Sequence, residues 1–132
     1  MDTILPDRRG VTFPMHLDTL HGLDLDRVLH VAKGPVLLVV TRPGCGACRG
    51  VKAALAALAP IEGLAIYEVD ATGAPALVEE LAIFHLPALW LMVDGEPVVE
   101  VPATTVPARL DSALRAALVT LPATVPIDAS SP

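Results

Sequence analysis

The sequence predicts an α/β domain in which a central mixed β-sheet of four to five strands is flanked by helices on both faces. Three observations support this fold class. The chain has 132 residues, which is the usual length of one domain. Apolar runs of strand length alternate with helix-like patterns, which favours a sheet covered by helices. Asp-Gly at positions 94 and 95 separates two strand-like runs, which indicates an antiparallel hairpin.

The first half of the predicted domain is a strand between two helices. Residues 23–32 have apolar side chains at three- and four-residue spacing, which predicts a short helix that ends before Gly34-Pro35. The Val and Leu run at 36–40 does not alternate, which is typical of a strand buried on both faces. Residues 45–59 are rich in Ala and Leu and predict a second helix that ends at Pro60.

The second half of the predicted domain contains the hairpin and two further helices. Residues 64–69 predict a strand, and Pro75 begins a short helix whose apolar side chains point inward. A strand at 88–93 leads into the Asp-Gly turn, and residues 96–101 return as an edge strand, where Pro97 is tolerated. Residues 107–118 predict the last helix. This order of elements gives the mixed sheet.

We divide the chain into three regions. Residues 1–16 lack sustained periodicity and predict an irregular N-terminal arm, with a short edge strand at 11–13. Residues 17–119 contain all the remaining predicted elements and form the domain. Residues 120–132 contain three prolines, little charge and no periodicity, which predicts a mobile Pro-rich tail.

The composition argues against several classes of function. The net charge of −6 would repel the phosphates of DNA or RNA, so we expect no nucleic-acid partner. No apolar run approaches the roughly 20 residues that cross a bilayer, so we expect no membrane partner. The first ten residues lack the apolar segment of a secretory signal, which predicts a cytoplasmic protein. A reducing cytosol makes a structural disulfide of little use, so the two cysteines indicate chemistry.

The two cysteines lie where the first strong strand gives way to a helix. A thiol attacks as its thiolate, and the N–H groups and dipole of a helix N-terminus lower the pKa of a cysteine placed there. Cys45 is therefore the candidate nucleophile. Gly46 and Ala47 are the spacers that bring Cys48 within reach, so Cys48 can resolve a mixed disulfide.

Two other interpretations of the cysteine pair remain open. The pair could supply half of a zinc site, although the usual order of paired ligands would require two histidines downstream. The cysteines could also be structural, although a Gly-flanked turn after a strand is normally exposed. The available histidines are His16, His21, His30 and His85, and only the last lies downstream. We therefore predict no metal site.

Together with two further segments, the cysteine motif resembles the thioredoxin family from about residue 25 to residue 118. The three signatures are Cys45-Gly46-Ala47-Cys48, His85-Leu86-Pro87-Ala88-Leu89 and the hairpin Asp94-Gly95-Glu96. The resemblance implies that Pro87 follows a cis peptide bond beside the cysteines, and that the backbone of Leu86 pairs with an extended substrate. It also implies a thiol–disulfide oxidoreductase acting on disulfide-containing proteins, with a thioredoxin-reductase-like electron donor and no bound cofactor.

The sequence also departs from the family pattern. Gly44 and Ala47 stand where thioredoxins have Trp and Pro in their active-site segment. Val39 and Ile66 align with the buried Asp and Lys that assist proton transfer in that family, so we expect slower resolution or a different base. His85 would lie beside the substrate groove, where an imidazole could move that proton, or it could be a solvated loop residue.

Two further functions remain as alternatives. The first is a binding or assembly module that keeps the thioredoxin fold while its dithiol is slow or vestigial, because the Asp, Lys and Trp equivalents are absent. The second is a glutathione-using relative, which we rank lower because the chain lacks the Thr-Val-Pro and Gly-Gly-x-Asp elements of such proteins. The sequence does not predict an oligomeric state.

Overall fold

The computed structural model describes residues 18–20, 25, 27–29, 32 and 34–121. Its strands are β1 (Asp18–Leu20), β2 (Val36–Thr41), β3 (Ala65–Asp70), β4 (Ala88–Val93) and β5 (Glu96–Val101). Its helices are α1 (Gly46–Ala56), α2 (Pro75–Glu80) and α3 (Pro107–Val119), with a short 3-10 helix at Ala71–Gly73. Leu25 and residues 27–29 are also helical. Over these ranges, no helix combines the length and apolarity needed to cross a membrane.

The five strands form one mixed sheet in the order β1-β3-β2-β4-β5. The strand β3 pairs in parallel with β1 and β2, whereas β4 pairs antiparallel with β2 and β5. This arrangement confirms the predicted mixed sheet with its terminal hairpin. The hairpin turn has positive φ at both Asp94 (53°) and Gly95 (81°), as the tight Asp-Gly turn requires.

The central strand β2 is buried along its whole length, which confirms that it is covered on both faces. Leu38 and Val40 belong to the core on one face, and Leu37 and Val39 belong to the core on the other. Aliphatic side chains dominate both cores, as the scarcity of aromatics predicts, and Trp90 packs half-buried against the first. The second core lies beneath α1 and α3 and supports the cysteines. Its helical members are Val51, Ala54, Leu55, Leu110, Leu114 and Ala117.

Two differences from the sequence prediction exceed one residue. The helix α1 ends at Ala56 rather than at residue 59, because the N–H groups of Ala57 and Leu58 bond three residues back and tighten the last turn. The edge strand is Asp18–Leu20, which the sequence did not predict. The strand predicted at 11–13 lies outside the described residues, as do the regions 1–16 and 122–132, so the three-region division stays a prediction.

A polar contact fastens α1 to the sheet beneath the cysteines. The carboxylate of Glu68 on β3 accepts hydrogen bonds from the Thr41 hydroxyl at 2.6 Å and from Lys52 Nζ at 2.9 Å. Thr41 ends β2 and is buried, and the side chain of Glu68 is only 15% exposed. Because water screens this contact only partly, it is stronger than an ordinary surface ion pair.

Replacing Glu68 by Gln should lower the free energy of unfolding by about 1–2 kcal/mol, because Lys52 loses its charged partner and Thr41 a strong acceptor. Urea denaturation of the reduced protein measures the change. Asp111→Asn is the matched control, since it breaks an exposed ion pair with Arg115 on α3 and should cost less than about 0.5 kcal/mol. Equal losses in the two variants would contradict a fastening role for Glu68.

Candidate active site

The two cysteines form a disulfide bond at the N-terminus of α1, with their Cα atoms 5.2 Å apart. The chain reaches them from β2 through a short loop in which Gly44 has a φ of 79°, a conformation that favours glycine. Gly46 and Ala47 are exposed in the first turn of the helix. The strand, the loop and the helix start therefore hold the pair at the carboxyl end of the central strand.

Cys45 is the N-cap of α1, and its sulfur takes the place that a Ser or Asp oxygen usually fills. Its Sγ accepts a hydrogen bond from the backbone N–H of Cys48 at 3.1 Å. A helix N-terminus leaves such N–H groups without partners inside the helix, and they stabilise negative charge. The first cysteine therefore receives a backbone donor that favours its thiolate over its thiol.

The two sulfurs differ in their access to solvent. Cys45 is 8% exposed, whereas Cys48 is 2% exposed and belongs to the inner side of the helix. Both residues are buried, and Cys45 is the more accessible of the two. The attacking role of Cys45 and the resolving role of Cys48 stay predictions.

The segment before β4 approaches the cysteine loop from one side. The Leu86–Pro87 peptide bond is cis. Pro87 directly precedes Ala88, whose Cα is the register partner of Val40 near the end of β2. Leu86 and Pro87 are half-buried, whereas His85 is exposed, and its imidazole has no hydrogen-bond partner among the described residues. The structure thus brings Leu86 and Pro87 to the strand end that carries the cysteine loop and leaves His85 at the surface.

A cavity of about 430 Å³ opens on the other side of the cysteine loop. It lies where β2 and β3 end together, since Thr41 and Asp70 are register partners. Both cysteines line it, and five of its ten lining residues are charged. The full lining is Thr41, Arg42, Pro43, Gly44, Cys45, Cys48, Arg49, Lys52, Glu68 and Asp70.

The acidic groups of this cavity are already engaged. Glu68 accepts from Thr41 and Lys52. Asp70 caps the 3-10 helix and accepts from both the backbone N–H and the hydroxyl of Thr72, at 2.9 and 2.7 Å. In addition to its two arginines, the cavity therefore contains the Lys52–Glu68 ion pair and the capping carboxylate of Asp70.

Sequence reasoning missed Thr41, Lys52, Glu68 and Asp70. A signal for three of them was available. Glu68 lies two residues after Ile66 on β3 and so shares its face of the sheet, and Lys52 follows Cys48 by four residues on α1 and so shares its face of the helix. Asp70 ends a strand parallel to the one before the motif. Val39 and Ile66 are apolar and contribute to the core beneath α1.

The described part of the chain contains no group of three or more His, Cys, Asp or Glu side chains that could hold a metal ion. Three of the four histidines named above as ligand candidates lie outside this part. His85 belongs to the loop before β4 and does not line the cavity.

Comparisons with known proteins agree with this geometry. The thioredoxin family model matches residues 19–116. A mutant thioredoxin from Halobacterium salinarum NRC-1 is 25% identical, with a TM-score of 0.63 over 86% of this chain and 100% of that one. A thioredoxin from Trypanosoma brucei brucei is 16% identical, with a TM-score of 0.64 over 88% and 99%, and shows likeness of fold. No curated protein sequence matches significantly. The chain belongs to the thioredoxin family, and with its cysteine pair at the start of α1 it is a thiol–disulfide oxidoreductase.

Proposed function

We propose that this oxidoreductase reduces or exchanges disulfides in protein substrates by a dithiol mechanism. The observation that carries the proposal is the hydrogen bond from the Cys48 N–H to Cys45 Sγ, at the point where the two cysteines form a disulfide. A sulfur that accepts a helix N-terminal donor is stabilised as a thiolate and as a leaving group. Both properties are needed by a protein that cycles between dithiol and disulfide.

The reaction begins with the reduced protein. The thiolate of Cys45 attacks one sulfur of the substrate disulfide, so that a mixed disulfide forms while the other substrate sulfur leaves and takes up a proton. Cys48 then loses its proton and attacks Cys45 Sγ. The second substrate thiol is released, the Cys45–Cys48 disulfide remains, and two electrons have passed to the substrate. A thioredoxin-reductase-like donor returns two electrons and completes the cycle.

The substrate would lie against the segment before β4. We assign the backbone of Leu86 and the ring of Pro87 to substrate binding, because this segment ends beside the strand that carries the cysteine loop. His85 stays a candidate proton carrier, supported only by its exposed position two residues before Pro87. We place the protein in the cytoplasm, where a reducing environment would regenerate the dithiol.

The cysteine roles predict opposite outcomes for two serine variants in the reduction of insulin by dithiothreitol. Cys45→Ser should lose turnover to the uncatalysed rate, because the attacking thiolate is gone. Cys48→Ser should lose turnover but trap a mixed disulfide with the substrate, because no second thiol releases it. Precipitation of the insulin B chain measures turnover, and mass spectrometry without reductant detects the trapped complex.

An exposed substitution outside the site, Val119→Ala, serves as the control and should keep full turnover. Wild-type protein that is fully reduced and yet shows no turnover would contradict the enzymatic proposal. It would instead favour a binding module with a vestigial dithiol, for which the apolar Val39 and Ile66 are the structural argument.

The cap hydrogen bond predicts the pH dependence of Cys45 alkylation. In the Cys48→Ser variant the folded protein should react with iodoacetamide with a midpoint below the ordinary thiol pKa of about 8.5, because the donated N–H favours the thiolate. The same variant in urea should titrate near about 8.5. Rates measured from pH 5 to 10 give both midpoints. A midpoint that unfolding leaves unchanged would show that the helix start does not activate the sulfur.

A further inference from the structure

We propose that the cavity on the β3 side of the cysteine loop recognises carboxylates, and that Arg42 and Arg49 select disulfides flanked by acidic residues. This inference rests on the proposed function, since it names the substrate class of the same dithiol. The substrate is a polypeptide segment with Asp or Glu next to its disulfide, whose carboxylates enter the cavity while the disulfide meets Cys45.

The position of the cavity makes it a second contact surface for a substrate. The strand β2 lies between β3 and β4 in the sheet. Leu86 and Pro87 therefore approach the cysteine loop from the β4 side, and the cavity opens on the β3 side. A chain whose disulfide reaches Cys45 extends to both sides, so residues that flank the disulfide fall within reach of the cavity. Its volume of about 430 Å³ lies in the range of binding pockets.

Two guanidinium groups give the cavity its positive charge. Arg42 follows β2 directly, and Arg49 lies one residue beyond Cys48. The Arg49 side chain lies over the start of α1. Its Nη2 atom is 4.0 Å from the position that a Cβ atom would occupy at Gly46. Both arginines line the cavity, and neither has an ion-pair or hydrogen-bond partner among the described residues. Their charge is available to a ligand.

The other charges of the cavity cancel only part of the charge of these two arginines. Lys52 and Glu68 neutralise each other at 2.9 Å. Asp70 keeps its negative charge while its carboxylate caps the 3-10 helix through Thr72, so the lining has one more cationic than anionic side chain. The arginines therefore leave a local positive charge beside the dithiol, although the chain as a whole carries −6.

The same charges decide which anion fits. The net negative charge of the chain would repel a polyanion such as a nucleic acid, which extends well beyond the cavity. A short acidic segment escapes this repulsion, because only the residues next to its disulfide enter the positive region. Guanidinium groups match carboxylates with two parallel hydrogen bonds, and carboxylates are the anions that an unmodified polypeptide carries.

The test uses two peptides that differ only in the residues flanking one intramolecular disulfide, two Glu in the first and two Gln in the second. Reduced protein is mixed with an excess of each peptide at low ionic strength, and a single turnover is quenched with acid and followed by mass spectrometry. The second-order rate constant for the Glu peptide should exceed that for the Gln peptide about five-fold. The ratio should fall toward one in 0.5 M salt, because salt screens exposed charges.

Matched variants assign the preference to the two arginines. The double variant Arg42→Gln, Arg49→Gln should bring the ratio of the rate constants for the Glu and Gln peptides close to one. A change in the reactivity of Cys45 would affect both rate constants equally and leave this ratio unchanged. Arg109→Gln is the control, because it removes an exposed arginine of α3 outside the cavity lining and should keep the ratio.

Each remaining outcome contradicts a specific step. Equal rate constants for the two peptides with wild-type protein would overturn the carboxylate preference and leave the dithiol mechanism standing. A preference that survives the double substitution would overturn the role of Arg42 and Arg49. Failure of wild-type protein to reduce either peptide would overturn the proposed function itself, and the preference with it.

Discussion

The hydrogen bond between the Cys48 N–H and Cys45 Sγ is the contact on which the chemistry of this molecule depends. It joins a sulfur to the first turn of α1 at 3.1 Å. The bond requires a helix that begins at Gly46, a loop that Gly44 turns with positive φ and a strand that ends at Thr41. Aliphatic packing on both faces of β2 fixes all three elements, so the core serves the site by holding one backbone donor against one sulfur.

The sheet order turns this one contact into a site with two sides. Because β2 is central, its carboxyl end has β3 on one side and β4 on the other. The antiparallel β4 begins there and supplies Pro87, whereas the parallel β3 ends there and supplies Glu68 and Asp70. An antiparallel neighbour thus contributes a strand start, with an apolar and backbone surface, and a parallel neighbour contributes a strand end with charges. The dithiol lies between surfaces of different chemistry.

The sequence predicts the elements of this fold better than it predicts the site. The strand at 88–93 and the hairpin return at 96–101 match the structure residue for residue, because an Asp-Gly turn fixes both neighbours locally. The cysteine pair is also local, since strand, turn and helix start are continuous in the chain. The contact of Glu68 with Lys52 and Thr41 is not local in the chain. It needs the parallel register of β2 and β3, which residue spacing alone does not specify. The edge strand Asp18–Leu20 depends on the same kind of pairing.

An ion pair lies near the dithiol although the two positions beneath it, Val39 and Ile66, are apolar. The resemblance to thioredoxins predicts that a buried Asp and Lys would stand at these two positions, whereas both side chains contribute to the apolar core. Glu68 is the register partner of Val39, so a carboxylate still lies one strand away, and its cation comes from Lys52 on α1 instead of from β3. A pair at this position borders the open cavity, where water lowers the cost of burying it. Because Lys52 and Glu68 neutralise each other, Arg42, Arg49 and Asp70 together set the potential at the cavity, with one positive charge in excess.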